Sequence, residues 1–224
     1  MALLEVVDLK KTFIDPEGIS HPVIDIPHFL LEAGQKCALA GASGCGKTTF
    51  LHLITGILKP DSGQVSINGT NITQLDESQR DRFRAMHLGY IFQSVNLIQG
   101  FTCLENVLLG MAFGQGIDRQ WALHLLDRVG LSNRLHYYPR QLSIGQQQRV
   151  AVARALASKP KIVVADEPTG SLDVRIAKEA IGLIRSACEE SGAALLLVSH
   201  DPSVLAEFSP VYQFSELRRA PQLS

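Results

Sequence analysis

Eight consecutive residues limit most sharply what this chain can fold into. Gly41-Ala42-Ser43-Gly44-Cys45-Gly46-Lys47-Thr48 fits the pattern GxxxxGK[ST]. An apolar run, Lys36 to Ala40, precedes it, and helical spacing of apolar residues follows from Lys47 to Leu58. Strand, glycine-rich turn and helix in that order make a phosphate-binding loop. The glycines let backbone N–H groups turn inward, and the helix N-terminus adds positive potential. Lys47 is placed to reach the β- and γ-phosphates of a nucleotide, and the Thr48 hydroxyl to ligate Mg²⁺, with Thr49 beside it. Cys45 reads either as a small residue that fits the turn or as a thiol activated by Lys47 and the helix N-terminus.

The rest of the chain supplies the setting such a loop needs. Residues 3–13 and 23–30 read as strands around the turn Asp15-Pro16-Glu17-Gly18. Residues 65–67, 88–92, 161–165 and 193–199 also read as strands. Helical patterns cover 76–86, 104–110, 119–129, 145–158 and 175–191, concentrating helices between about 94 and 160. The expectation is an α/β core interrupted by a helical insertion. With 224 residues, 46% of them hydrophobic, the chain is long enough to bury its own core. A net charge of −1 argues against non-specific nucleic-acid binding. The longest apolar runs fall well short of the ~20 residues of a membrane span, and Glu5 and Asp8 interrupt the first one. Four scattered cysteines suit reduced thiols in a cytosolic setting.

A second signal lies at Ile162-Val163-Val164-Ala165-Asp166-Glu167, an apolar strand that ends in two carboxylates. Ligands of parallel α/β sheets sit at that strand end. Asp166 is suited to hold the Mg²⁺ shell and Glu167 to polarise an attacking water.

Leu142-Ser143-Ile144-Gly145-Gln146 narrows the field, because here the chain resembles the ATP-binding cassette family and its LSGGQ signature, with Ile144 in place of the first glycine. The resemblance spans nearly the whole chain. It implies an α/β P-loop NTPase fold: a RecA-like core (about 1–93 and 159–224), an N-terminal antiparallel β-subdomain, and an inserted α-helical subdomain (about 94–158), all one nucleotide-binding domain. It implies ATP and Mg²⁺ as ligands. Further residue roles follow from it: Gln93 joins Mg²⁺ and the attacking water to a transmembrane partner, His200 contacts the γ-phosphate, and Phe13 stacks on adenine. Ser143, Gly145 and Gln146 grip the ATP of a second copy, and Asp173, in Ser171-Leu172-Asp173, carries information between the two sites of that pair.

Asp166-Glu167-Pro168-Thr169-Gly170-Ser171-Leu172-Asp173 is similar to the lipoprotein-release, macrolide-export and cell-division group (LolD, MacB and FtsE types). The resemblance therefore implies an ATPase peripheral to the cytoplasmic face of a membrane, driving a transmembrane permease subunit and pairing with a second copy or a paralogue. The alternatives are a non-transport cassette ATPase and a cell-division-type signalling scaffold; ATPase activity with and without a membrane subunit separates them. The segment Phe208-Ser209-Pro210-Val211 departs from the group's pattern, which implies short or irregular last strands.

Overall fold

A computed structural model describes residues 2–114, 116–170 and 174–219, without the side chains of 174 and 175. In chain order the elements are β1 (Ala2–Ile14), β2 (Ser20–Glu32), β3 (Lys36–Ala40), α1 (Lys47–Ile54), β4 (Ser62–Ile67) and β5 (Thr70–Asn71). Next come α2 (Glu77–His87), β6 (Leu88–Ile91), α3 (Cys103–Ala112), α4 (Arg119–Arg128) and α5 (Ile144–Leu156). The chain closes with β7 (Ile162–Asp166), α6 (Val174–Ser191), β8 (Ala194–Ser199), α7 (Pro202–Leu205), β9 (Val211–Gln213) and α8 (Phe214–Leu217).

Two sheets form. The antiparallel one has the order β2-β1-β4-β5, and the parallel one the order β6-β7-β8-β3-β9. The β1–β2 hairpin closes at the expected turn, where Gly18 N–H donates to the Asp15 carbonyl at 3.0 Å. Strands β7 and β8 are buried along their whole length, as continuous apolar runs in a parallel sheet must be when both faces are covered.

Successive residues of those strands feed two different cores. Ile162 and Val164 pack with Val6, Ile26, Phe50 and Val65, under the antiparallel sheet and α1. Val163 and Ala165 face the other way, against Val107, Leu126, Val150, Val152 and Ile184 of the helices. The parallel sheet is thus the partition, and the inserted helices share a core with one of its faces.

Most boundaries differ from the sequence expectation by one to three residues. The largest shift is in α1, which stops at Ile54 rather than running to Leu58. Thr55 caps it, and Gly56 then takes a left-handed φ of +69°, which turns the chain out of the helix. The apolar spacing through Leu58 continues past this exit, which is why it read as helix. β1 and β2 are longer than expected because the hairpin pairs out to Ile14 and Ser20. The last strand is indeed short, three residues of β9 alongside β3.

Candidate active site

Four parallel strands deliver the expected residues to one sheet edge. The glycine-rich loop follows β3, Gln93 lies two residues beyond β6, Asp166 ends β7 with Glu167 next, and His200 follows β8. These strand ends border a cavity of about 370 Å³ lined by Phe13, Lys47, Thr48, Thr49, Gln93 and Glu167, together with Ser43, Gly44 and Gly46.

The loop takes its shape from its glycines. Gly46 is the residue before α1 and has φ of +106°, with a Cβ position only 3.0 Å from Val23 Cγ1. A side chain there would be both strained and crowded. Lys47 is 5% exposed, and its ammonium donates to the carbonyls of Gly41 at 2.8 Å and Ala42 at 2.7 Å. The ammonium is therefore held inside the curve of its own loop. Cys45 Sγ is 3.9 Å from that ammonium.

Asp166 is 5% exposed, and its two oxygens are divided between two hydroxyls. Thr48 Oγ1 donates to Oδ1 at 3.2 Å, and Tyr90 Oη donates to Oδ2 at 3.4 Å. Burial raises the Asp166 pKa, while the Thr48 hydrogen bond and the charge of His52 oppose the rise. Burial pushes the Tyr90 hydroxyl well above the ordinary phenol range, and the Asp166 charge adds to the effect, so Tyr90 remains a neutral donor.

Glu167 adopts φ of +43°, a left-handed conformation uncommon for a residue with a side chain. Its N–H donates to the Val198 carbonyl at 3.0 Å, and its own carbonyl accepts from Gly170 N–H at 3.1 Å. The turn so pinned swings the carboxylate toward the loop. Oε2 lies 2.7 Å from His200 Nδ1, and Oε1 lies 3.9 Å from Lys47 Nζ. Glu167 is 14% exposed and His200 56%, so the pair runs from the cavity wall to solvent.

The donor set fits a hard divalent cation. Thr48 and Asp166 present oxygen atoms side by side, and no group of three or more His, Cys, Asp or Glu side chains suited to a metal occurs among the described residues. A cation held there takes its remaining ligands from phosphate oxygens and water, which is the habit of Mg²⁺.

The signature segment lies elsewhere. Ser143 caps α5, its Oγ accepting from Gln146 N–H at 3.3 Å while Gln146 Oε1 accepts from Ser143 N–H at 3.1 Å. Ser143 is exposed, Ile144 is 55% exposed, and none of Ser143, Gly145 and Gln146 lines the cavity around Lys47. Asp173 lies outside the described residues, as do Ser171 and Leu172. Sequence reasoning gave no role to Tyr90, to His52 or to Val23, which walls the loop from β2. Tyr90 and Val23 depend on strand register and His52 on how α1 packs, for which the sequence carries no local signal.

The chain matches the family described as "ABC transporter" over residues 24–170. It is 40% identical over 218 residues to the lipoprotein-releasing system ATP-binding protein LolD of Hydrogenovibrio crunogenus, covering 96% of this chain and 94% of that one. It is 42% identical over 187 residues to the ABC transporter ATP-binding protein YtrE of Bacillus subtilis, covering 82% and 80%. Among solved structures, the dimeric post-hydrolysis state of the ATP-binding cassette MJ0796 bound to ADP and Pi superposes with a TM-score of 0.85. Sequence identity is 33%, with 94% of this chain and 93% of that chain covered.

Proposed function

The chain belongs to the ABC transporter family as an ATP-hydrolysing subunit, and from that premise we propose which of its residues do the work and what it drives. The reading rests on one observation above the others: Glu167, held at 2.7 Å by His200, reaches the mouth of the glycine-rich loop beside Lys47.

Phosphoryl transfer to water needs positioning and charge stabilisation more than covalent chemistry. The residues Gly41, Ala42, Ser43, Gly44, Cys45 and Gly46 supply inward N–H groups, and Lys47 supplies a charge-assisted donor that phosphate oxygens accept more strongly than carbonyls do. Phe13, 42% exposed at the cavity rim, offers a face for adenine. Thr48, Gln93 and Asp166 would hold Mg²⁺, with Thr49 beside them on the nucleotide; when bound, the ion would neutralise charge on phosphate oxygens. Glu167 accepts the proton of the attacking water, and His200 fixes the carboxylate and reaches toward the γ-phosphate.

Among the described residues, the cavity lining takes none from the signature segment. Ser143, exposed at the start of α5, completes the site of a second copy placed head to tail, together with the half-buried Gly145 and Gln146. The dimeric form of the similar cassette supports this arrangement.

A groove of about 1010 Å³ between α2, β6, α3 and α5 supports a membrane partner. Arg82, Arg84 and Arg154 line it against a single acid, Asp81, so it suits a partner segment carrying acidic side chains. Arg154 also donates to the Asn96 carbonyl at 2.8 Å, tying the segment after Gln93 to α5. No helix of the described residues is long and apolar enough to cross a membrane. In the proposed reading the chain acts from the cytoplasmic face on a separate transmembrane subunit, which its likeness to lipoprotein-releasing system components supports. Its 40% identity to a lipoprotein-releasing system component across nearly its full length supports mechanical transmission of that kind.

The test is Glu167→Gln. The variant binds ATP as the parent chain does, loses hydrolysis by about a hundredfold or more, and accumulates as an ATP-dependent dimer in size-exclusion chromatography. A variant that stays monomeric and hydrolyses normally removes the assignment.

A further inference from the structure

Tyr90 belongs to two places at once. It sits on β6, the edge strand paired with β7, in register with Val164 two residues before Asp166. Its hydroxyl donates to Asp166 Oδ2 at 3.4 Å. Its ring stacks on Phe92, with centroids 4.1 Å apart and planes 24° apart, and both rings line the cationic groove. The His52 ring lies 5.9 Å away, on the side of α1.

A carboxylate held at one oxygen can still turn about its own axis. Thr48 holds Oδ1 of Asp166. Among the described residues, Tyr90 is the hydrogen-bond donor to Oδ2. The phenol thus sets the plane of the group, and its own place is set by the stack on Phe92 in the groove wall. A segment seated in the groove presses on Phe92 and Tyr90 before it can affect anything deeper.

We propose that Tyr90 is a positioning residue for Asp166: its hydroxyl orients the carboxylate toward the cation, and its ring makes that orientation sensitive to occupancy of the groove. The inference rests on the reading of Asp166 as a Mg²⁺ ligand. It adds a route from groove to metal that does not pass through Gln93.

The experiment uses the full chain with Mn²⁺ as a spectroscopically visible substitute for Mg²⁺. Bound Mn²⁺ is counted by electron paramagnetic resonance during titration at fixed ATP, and ATP binding is measured separately in chelator. Tyr90→Phe keeps the ring and removes the donor. It raises half-saturating Mn²⁺ by about three- to tenfold and leaves ATP binding without metal unchanged. Phe92→Ala keeps the hydroxyl and removes the ring beneath it, and it shifts the Mn²⁺ curve in the same direction by less. Identical Mn²⁺ curves for Tyr90→Phe and the parent overturn the positioning role, as does a loss of metal-free ATP binding. A shift in Tyr90→Phe with an unmoved Phe92→Ala curve overturns the link to the groove. If the parent binds ATP with no coupling to Mn²⁺, the reading of Asp166 fails and the inference about Tyr90 falls with it; a parent that couples to Mn²⁺ beside an unmoved Tyr90→Phe overturns the inference alone.

Discussion

Cys45 shows how much one side chain's surroundings decide its chemistry. Three of the four thiols are buried. Burial pushes Cys37 and Cys188 up to about 12, and it raises Cys103 as well. Cys45 alone is partly exposed, 3.9 Å from the Lys47 ammonium and inside the glycine-rich loop proposed to hold phosphates. Native chain at neutral pH should therefore take up one equivalent of maleimide, at Cys45, and ATP should slow that uptake several-fold. Rapid labelling of a second thiol, or a rate indifferent to ATP, contradicts the placement. The loop from Gly41 to Thr48 and the Asp166-Glu167 pair stand out in the sequence because each is contiguous, and the structure brings both to one sheet edge. His200 acquired its role only through resemblance, because its 2.7 Å contact with Glu167 joins two different strand ends. Tyr90 escaped altogether, since its contact with Asp166 exists only when β6 and β7 are in register.

At the scale of elements, α5 carries the greatest structural demand. It packs against α3, α4, α6 and β6, and it presents Ser143 at its start. Gly110 of α3 makes the close approach of α3 to α5 possible: a Cβ there would lie 2.5 Å from the Arg154 carbonyl and 3.0 Å from Ala157 Cβ. Two effects of Gly110→Ala oppose each other. Helix propensity favours alanine by about 0.5–1 kcal/mol. Overpacking against a fixed backbone carbonyl costs about 1–3 kcal/mol. The clash wins, so the variant should unfold at lower urea concentration, with little change in the slope of the transition. An unchanged or higher midpoint shows that α3 and α5 slide apart freely. The longer elements are legible because apolar periodicity is local, whereas the short β5, α7 and α8 and the helix ends are not. The exit of α1 at Thr55 depends on Gly56 adopting φ of +69°, which spacing through Leu58 conceals.

At the scale of the whole molecule, the parallel sheet divides two cores, with the phosphate loop at its carboxyl edge and Ser143 out on the helical insertion. On the proposed reading, loop and signature are halves of different sites. Two chains, each defective in one half, need not be defective together. Lys47→Ala cannot hold nucleotide, and Ser143→Arg cannot close over a partner's phosphate, so each alone is inactive. In a mixed pair both lesions fall in one site, and the other receives an intact loop from one chain and an intact signature from its mate. Equal mixing makes about half the pairs mixed, each with one sound site of two, for about a quarter of parental turnover. Persistent silence on mixing argues against the head-to-tail arrangement. Recovery has a genetic meaning: two loss-of-function alleles of this gene, each recessive and each null on its own, would complement one another in the same cell.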